Sequence, residues 1–267
     1  MLKIRVVPML YLMNGLVVRS EGFREFKAIG NPVAEMERYG EWLADELVYL
    51  DITRDGEHDF GREDHKFKGE RDIVAILRQI AASCFMPLAF GGRVKTMADV
   101  DRFIRNGADK VVICSQAFRE PALVTAVAEK YGAQAMVVGI DVRREDDGRH
   151  RVHVDQGRTP VDEAPEAYAR RMEAAGAGEI LLNSIDRDGA AEGYDVEITR
   201  RIADAVSIPV VACGGVGDFS DFRAGIDEGH ASAVAAGNIF HFTEMSYKRA
   251  KRYLKDKGYG VRYPYPG

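Results

Sequence analysis

An internal repeat constrains the fold of this 267-residue chain more than any other feature of its sequence. The segments ELVYLDITRDG (46–56) and EILLNSIDRDG (179–189) align without gaps and share Glu, Ile, Arg, Asp and Gly at equivalent positions. The segments 85–118 and 207–240 have the same length, and each has a proline near its start, a glycine-rich middle and a closing Phe. The chain therefore contains two copies of one structural unit.

Short apolar segments alternate with amphipathic, helix-like segments along the chain. The apolar segments are rich in Val, Ile and Leu with little polar alternation, which is typical of parallel strands buried on both faces. We expect strands at 4–10, 47–52, 87–90, 110–114, 135–140, 180–182, 209–212 and 232–236, and helices at 31–45, 96–109 and 218–230. Eight strands, each followed by a helix, predict an α/β fold, a (β/α)8 TIM barrel built from two half barrels, about 1–131 and 132–267. A doubly wound sheet would need fewer strands or a second domain, and no linker marks one, so residues 1–267 are predicted to form a single domain.

Composition narrows the class of protein. Apolar residues make up 46% and charged residues 30% of the chain, as in a globular protein with a sizeable core. Lys and Arg number 37 against 42 Asp and Glu, and the net charge of −5 disfavours a nucleic-acid-binding module. The three cysteines predict neither disulfides nor a metal site, and no apolar stretch is long enough to span a membrane. Because Pro8 interrupts the apolar N-terminal segment, we interpret it as a strand rather than a signal peptide, and we expect a cytoplasmic protein without a cofactor.

The first half carries an insertion at about 57–72, EHDFGREDHKFKGERD. Its polar and charged composition favours a solvated loop, and the alternative is a lid or a loop that contacts a partner.

Glycines follow several predicted strands, at the barrel end where TIM-barrel active sites lie. Glycines just before a helix let backbone N–H groups approach a phosphate, although a glycine at such a place can also be a simple turn residue. Their occurrence in both halves favours two phosphate pockets that face each other across the barrel mouth, for a substrate with a phosphate at each end. The residues concerned are Gly91, Gly92, Arg93, Asp188, Gly189, Gly214, Gly215, Gly237 and Asn238.

Asp141 ends the fifth predicted strand, where a carboxylate can act as a general acid or base or can cap the following turn. By half-barrel symmetry its counterpart at the end of the first strand is Tyr11. A phenol with a pKa of about 10 is a poor proton acceptor at neutral pH. These two positions therefore do not provide a two-carboxylate mechanism.

Four charged residues stand at the starts of predicted strands, at the opposite end of the barrel: Arg5, Glu46, Lys110 and Glu179. If their side chains point inward, they close the barrel floor as a ring of paired charges. The alternative is four solvated strand ends.

Several segments together resemble the cyclase (synthase) subunit of imidazole glycerol phosphate synthase, of histidine biosynthesis. The resemblance covers essentially the whole chain, and its most specific part is GAGEILLNSIDRDGAAEGYD (176–195). In that family a glutaminase docks on the barrel floor and releases ammonia, which passes through the barrel and attacks a bisphosphate ribulosyl-formimino substrate at the top. The resemblance implies that the four charged residues at the strand starts form the ammonia gate and that Asp109 faces the glutaminase.

The top of the barrel departs from that family. Tyr11 stands where the family has the first aspartate of its acid/base pair, Arg93 replaces the third glycine of a turn, and Cys114 replaces an asparagine. The resemblance also implies substrate contacts at Ser115 and at Arg19, which stands where the family has a lysine in a mobile first loop.

This combination is similar to the cyclase-like paralogues found with surface-polysaccharide genes. Those paralogues pair with a glutaminase and a third, ATP-using enzyme that converts an acetamido sugar to an acetamidino sugar. The stretch LYLMNG (10–15), in place of an LDVKDG-like stretch, favours this prediction. The alternatives are an authentic histidine-pathway cyclase, which makes imidazole glycerol phosphate and aminoimidazole carboxamide ribotide, and a barrel for another sugar phosphate without a glutaminase.

Overall fold

Eight parallel strands close into a barrel in the computed structural model of the chain, which describes residues 3–54, 72–242 and 245–264. In order around the barrel these strands are β1 (Arg5–Met13), β4 (Leu47–Asp51), β5 (Leu88–Gly91), β6 (Lys110–Ile113), β7 (Met136–Arg144), β10 (Glu179–Ser184), β11 (Val210–Cys213) and β12 (Ala233–Ala236). Each pairs in parallel with the next, and β12 pairs with β1 to close the barrel. The predicted (β/α)8 fold is confirmed.

Helices surround the barrel. They are α1 (Pro32–Glu41), α2 (Ile73–Ala81), α3 (Met97–Arg105), α4 (Ser115–Arg119), α5 (Pro121–Tyr131), α6 (Pro165–Ala174), α7 (Val196–Ala203), α8 (Phe219–Asp227), α9 (Ile239–Phe242) and α10 (Ser246–Asp256), with a 3-10 turn at Ala133–Ala135. The three helices predicted at 31–45, 96–109 and 218–230 correspond to α1, α3 and α8. Every helix within the described ranges is too short or too polar to cross a lipid bilayer.

The two halves start equivalent helices with the same device. Thr96 before α3 and Asp218 before α8 each accept a backbone N–H bond, and an aspartate three residues later bonds back to the cap residue. Thr96 and Asp218 occupy equivalent positions in the repeated segments 85–118 and 207–240. Such a capping box stabilises a helix start by about 1 kcal/mol, so the repeat extends from sequence to local structure.

Side chains of the barrel strands alternate between two apolar layers, because successive residues of a strand point to opposite faces. On β1, Val6, Leu10 and Leu12 pack outward against the helices, whereas Val7 and Met9 point into the barrel. The inner layer continues with one or two residues from each other barrel strand and is almost entirely apolar below the barrel mouth. Odd-numbered residues of β1 therefore face the interior, which places both Arg5 and Tyr11 there.

Two β-hairpins extend the barrel at equivalent places. The strand β1 continues into β2 (Leu16–Glu21) and β3 (Glu25–Gly30), and β7 continues into β8 (His150–Val154) and β9 (Thr159–Pro160). Arg19, which the resemblance places in the first loop, lies on β2 in register with Lys27 of β3. These strands are short and partly polar, which is why apolar runs did not reveal them.

The expected half-barrel boundary at 131/132 falls between α5 and the 3-10 turn that leads into β7, and each half supplies four barrel strands. The predicted insertion at 57–72 lies outside the described residues except for Asp72, which caps α2 by accepting a bond from the Val74 N–H.

Candidate functional site

At the N-terminal end of the barrel, Arg5, Glu46, Lys110 and Glu179 form a ring of alternating charges, hereafter the charge ring. Arg5 donates to both Glu46 and Glu179. Lys110 Nζ lies 2.7 Å from Glu46 Oε1 and 2.8 Å from Glu179 Oε2. Only 4% and 8% of the two carboxylate side chains are exposed, against 27% and 20% for Arg5 and Lys110. Each charge is therefore balanced by two neighbouring residues rather than by water alone.

Electrostatics favour the ionised form of Glu179 in the charge ring. Burial alone would raise the pKa of Glu179, but hydrogen bonds from Arg5 and the charges of Arg5 and Lys110 lower that pKa below its usual value. The strand period of two explains the geometry, because each ring member is the first inward-facing residue of its strand or directly precedes that strand.

Exposed side chains flank the charge ring on the floor of the barrel. Asp109 is exposed, and its Oδ2 accepts a 2.9 Å bond from the backbone N–H of Leu88 at the start of β5. Phe85 is 97% exposed and Leu43 40% exposed, and both lie in loops that lead into barrel strands at this end. The floor therefore combines a charged centre with exposed apolar and acidic side chains at its edge.

At the opposite end of the barrel, two cavities lie on either side of Tyr11. The larger, cavity A, has a volume of about 230 Å³, and the smaller, cavity B, about 180 Å³. Met9 and Tyr11 line both cavities. A ligand that spans the barrel mouth would therefore contact the Tyr11 side chain.

Tyr11 is held as a neutral phenol. Its side chain is 6% exposed and packs edge-on against Phe23, with ring centroids 5.7 Å apart. Burial raises its pKa well above 10, and the nearby Cys213, Asp188 and Asp141 raise it further. Tyr11 can therefore donate a hydrogen bond at neutral pH but cannot accept a proton as a base.

Asp141 lines cavity A and is suited to proton transfer near neutral pH. Burial raises its pKa to about 6, although a 3.2 Å bond from Asn183 Nδ2 acts in the opposite direction. The alternative that Asp141 caps a turn is wrong, because β7 continues to Arg144 and Asp141 pairs across the sheet with His153 and Asn183.

Asp188 lines cavity B and is a second carboxyl group with a shifted pKa. Burial raises its pKa to about 7, while a 2.5 Å bond from Ser20 Oγ and a 3.4 Å bond from the Phe23 N–H oppose this shift. Each cavity thus contains one carboxyl group that changes charge near neutral pH, a property common in catalytic sites.

The structure distributes the predicted phosphate and substrate residues over both cavities. Cavity A is lined by Gly92, Arg93 and Ser115. Cavity B is lined by Asp188, Gly189, Gly214, Gly215, Gly237 and Asn238. Gly91 and Arg19 line neither cavity, and Arg19 forms a 2.9 Å ion pair with Glu21 on the same hairpin.

Two glycines at the barrel mouth are required by the backbone. Gly92 has a φ of +94°, and a Cβ there would lie 2.1 Å from the carbonyl oxygen of Asp51. Gly215 has a φ of +105°, and its Cβ would lie 2.1 Å from the carbonyl oxygen of Gly193. Only glycine fits these close backbone approaches, so a role in the turn and a role in phosphate binding are compatible at these positions.

Several lining residues were not identified from the sequence. Arg54, Arg119, Gln156, Arg158 and Asn183 line cavity A. The repeat contains one signal that could have found Arg54, because it is equivalent to Arg187 in the second copy. Among the described residues, no group of three or more His, Cys, Asp and Glu side chains is arranged to hold a metal ion.

The two half barrels, the charged floor and the two cavities at the barrel mouth define a duplicated (β/α)8-barrel protein. The chain belongs to the family described as "Histidine biosynthesis protein", whose profile matches residues 5–246. It is 40% identical over 259 residues to the imidazole glycerol phosphate synthase subunit HisF of Alkaliphilus metalliredigens (strain QYMF). The aligned residues cover 97% of this chain and 98% of that relative. The resemblance that the sequence motifs indicated is thereby confirmed at the level of the family.

Proposed function

We propose that this chain is a cyclase-like subunit of a glutamine amidotransferase complex that docks a glutaminase on its floor and conducts ammonia through the barrel. The complex acts in the synthesis of amidino sugars for surface polysaccharides rather than in histidine synthesis. A third, ATP-using enzyme carries out the final amidation, and the complex works in the cytoplasm. The similarity to the HisF subunit supports the proposal of a cyclase-like subunit that pairs with a glutaminase.

The floor supports the docking and conduction parts. The complete charge ring lies across the barrel axis, and the inner layer above it is lined by small and medium apolar side chains such as Val7, Ala89, Val112 and Ala233. Neutral ammonia passes an apolar lining more easily than ammonium does, because a bare charge is costly to transfer from water. Exposed Phe85 and Leu43 beside Asp109 offer the mixed apolar and charged surface that protein interfaces use.

The single observation that carries the choice of pathway is Tyr11. It occupies the position opposite Asp141 between the two cavities, and its raised pKa leaves it without a proton-accepting form at neutral pH. Losing a positioned general acid or base typically lowers a rate by about 10²–10⁴-fold. A bisphosphate cyclisation that needs two carboxylates at these positions would therefore be slow in this barrel.

A specific observation favours the second candidate, an authentic histidine-pathway cyclase. Asp188 lies in cavity B with a pKa of about 7, so it supplies the second titrating carboxyl group that the phenol of Tyr11 cannot supply. In this case Asp141 and Asp188 would form the acid/base pair on the two sides of Tyr11.

One experiment separates these candidates. The purified chain is incubated with the histidine-pathway bisphosphate and ammonium at alkaline pH, as wild type, as Tyr11→Asp and as the matched control Tyr11→Phe. Turnover by the wild type at about 1 s⁻¹ or faster would overturn the amidino-sugar proposal in favour of the histidine cyclase. We expect no wild-type turnover, and a gain with Tyr11→Asp but not with Tyr11→Phe would show that the barrel lacks only the acid/base group.

The glutaminase part is tested separately with a glutaminase from the same genome. We expect glutamine hydrolysis to increase when the chain is added, and we expect Asp109→Asn to weaken this increase. Arg223→Gln on α8 serves as a control because its side chain is exposed and lies on an outer helix. An equal glutaminase rate with and without the chain would contradict the docking proposal.

A further inference from the structure

The positive charge at the barrel mouth is concentrated in cavity A. Five cationic side chains line this cavity: Arg54, Arg93, Lys95, Arg119 and Arg158. No Lys or Arg is among the residues that line cavity B, whose acidic member is Asp188. A phosphate in cavity B would meet backbone N–H groups of the glycines but no cationic side chain of the described lining, whereas a phosphate in cavity A would also meet cationic side chains.

Most of the negative charge in cavity A is already engaged by protein groups. Asp155 forms a 2.5 Å ion pair with Arg119, and Asp51 Oδ1 accepts a 2.9 Å bond from the Thr53 N–H. The third carboxyl group, Asp141, is bonded by Asn183.

Arg54 and Arg158, hereafter the arginine pair, have no carboxylate of the described residues within ion-pair distance. Arg54 Nη2 donates to the backbone oxygen of Phe23 at 2.6 Å, its guanidinium lies over the Phe26 ring, and its buried Nε has no hydrogen-bond partner among the described residues. Arg158 Nε donates to the backbone oxygen of Asp155 at 2.8 Å. Burial and the charge of Arg158 lower the pKa of Arg54, and both side chains line cavity A. An anion bound in this cavity would offset the like charges of the two guanidinium groups.

The turn that carries Arg158 is held in a strained shape over cavity A. Asp155, Gln156 and Gly157 have φ values of +55°, +59° and +77°, a conformation that non-glycine residues rarely adopt. Ser115 Oγ accepts from the Asp155 N–H at 2.8 Å, and Gln156 Nε2 donates to the Ile52 carbonyl at 3.2 Å. Backbone strain of this kind persists where the surroundings fix it, commonly at binding sites.

Cavity A also contains buried polar atoms without partners among the described residues. Besides Arg54 Nε, these are Gln156 Oε1 and Asn183 Oδ1, and both residues line the cavity. Their amide nitrogens donate to Ile52 O and Asp141 Oδ1, which fixes the oxygens as acceptors. Buried polar groups normally have partners, so one donor and two acceptors among the lining residues of one cavity indicate a hydroxylated ligand with an anionic group.

We propose that the arginine pair forms a second anion subsite in cavity A, next to the phosphate position expected at Gly92 and Ser115. The cavity then accepts a ligand with two linked phosphoryl groups, a diphosphate ester of a hydroxylated compound. Guanidinium groups match phosphoryl oxygens with paired N–H bonds, and Gln156 and Asn183 accept bonds from the ligand's hydroxyl groups. This inference rests on the proposed function for the role of the site, since it names the ligand class of the barrel mouth.

Binding of inorganic phosphate and inorganic pyrophosphate, measured by calorimetry with a chelator present, tests the proposal. For the wild type we expect pyrophosphate to bind at least about tenfold more tightly than phosphate, since a charge-assisted bond to each arginine is added. Arg54→Gln and Arg158→Gln should each weaken pyrophosphate binding about tenfold while changing phosphate binding less than about threefold. Arg102→Gln, on the exposed face of α3, should change neither affinity.

Equal wild-type affinities for the two anions would overturn the subsite, and so would an equal loss of both in the variants. Arg158 is exposed, so Arg158→Gln decides the matter even if Arg54→Gln fails to fold. The proposed function fails separately, because glutaminase stimulation depends on the floor of the barrel and pyrophosphate binding on its mouth.

Discussion

Removing one carboxylate from the charge ring should destabilise the fold measurably. Glu179→Gln keeps the size of the side chain but leaves Arg5 and Lys110 with Glu46 as the remaining ring carboxylate. Breaking a buried ion pair by removing one partner costs about 3–5 kcal/mol. Since the two cations retain 27% and 20% exposure, water screens part of this cost, and we expect a loss of about 2–3 kcal/mol.

For a chain of this size, such a loss lowers the midpoint of thermal unfolding by roughly 5–10 °C. Urea unfolding followed by circular dichroism gives the free energy of unfolding directly. Arg223→Gln is the matched control, because it removes an exposed ion pair of 3.0 Å on α8 and should change stability by less than about 0.5 kcal/mol. If Glu179→Gln behaves like this control, the charge ring does not stabilise the barrel and the reasoning fails.

The effect of Glu179→Gln also depends on pH. The pKa of Glu179 is lower in the folded chain than in the unfolded chain, so the native state binds fewer protons. Its contribution to stability is therefore complete above the unfolded pKa of about 4.3 and is lost as the pH falls through the lowered native value. The difference between wild type and Glu179→Gln should shrink below this pH, and a constant difference would point to packing rather than charge.

Three further predictions concern the barrel mouth and the helix caps. The stability of Asp141→Asn relative to wild type should be about 2–3 kcal/mol higher at pH 8 than at pH 4. The native pKa of about 6 lies above the unfolded value, so ionisation of Asp141 destabilises the wild-type fold at pH 8. Urea unfolding at both pH values checks this, and the opposite trend would contradict it. Gly92→Ala should cost at least about 2 kcal/mol more than Gly148→Ala in urea unfolding, since both glycines have positive φ but only at Gly92 would a Cβ meet a backbone oxygen at 2.1 Å. Thr96→Ala and Asp218→Ala should each cost about 1 kcal/mol in thermal unfolding, and clearly unequal losses would show that the two halves have diverged at their caps.

The fold was predictable because its barrel strands are continuous apolar runs and because the sequence repeats. Buried parallel strands produce a strong apolar pattern, and the repeat of a four-strand unit favours a closed barrel over the doubly wound alternative. The hairpins β2–β3 and β8–β9 were missed for the opposite reason. They are short and carry charged residues such as Arg19 and Arg151, so no apolar run marks them.

Parts of the site were predictable from strand ends and others were not. Asp141, Tyr11 and the charge ring could be located because a single strand fixes which way each side chain points. The extent of β7 was underestimated, and the turn-capping alternative for Asp141 remained open for that reason. No pattern in the sequence linked Arg54 to Arg158, since they are far apart in the chain and come to line the same cavity only through barrel closure and the β8–β9 hairpin.

The inward-facing side chains differ between the two ends of the barrel in how completely their polar groups are paired. At the floor, the inward-facing positions of strands hold charges in a closed set, in which every carboxylate has two cationic neighbours. At the mouth, the same alternation places Tyr11, Asp141 and Asn183 inward, but there the polar groups of the described residues are left incompletely paired. Paired charges stabilise the fold, whereas buried polar groups without hydrogen-bond partners cost free energy that a bound ligand can recover. The contrast therefore supports our proposal that cavity A binds a ligand, whereas the charge ring is already paired within the described residues.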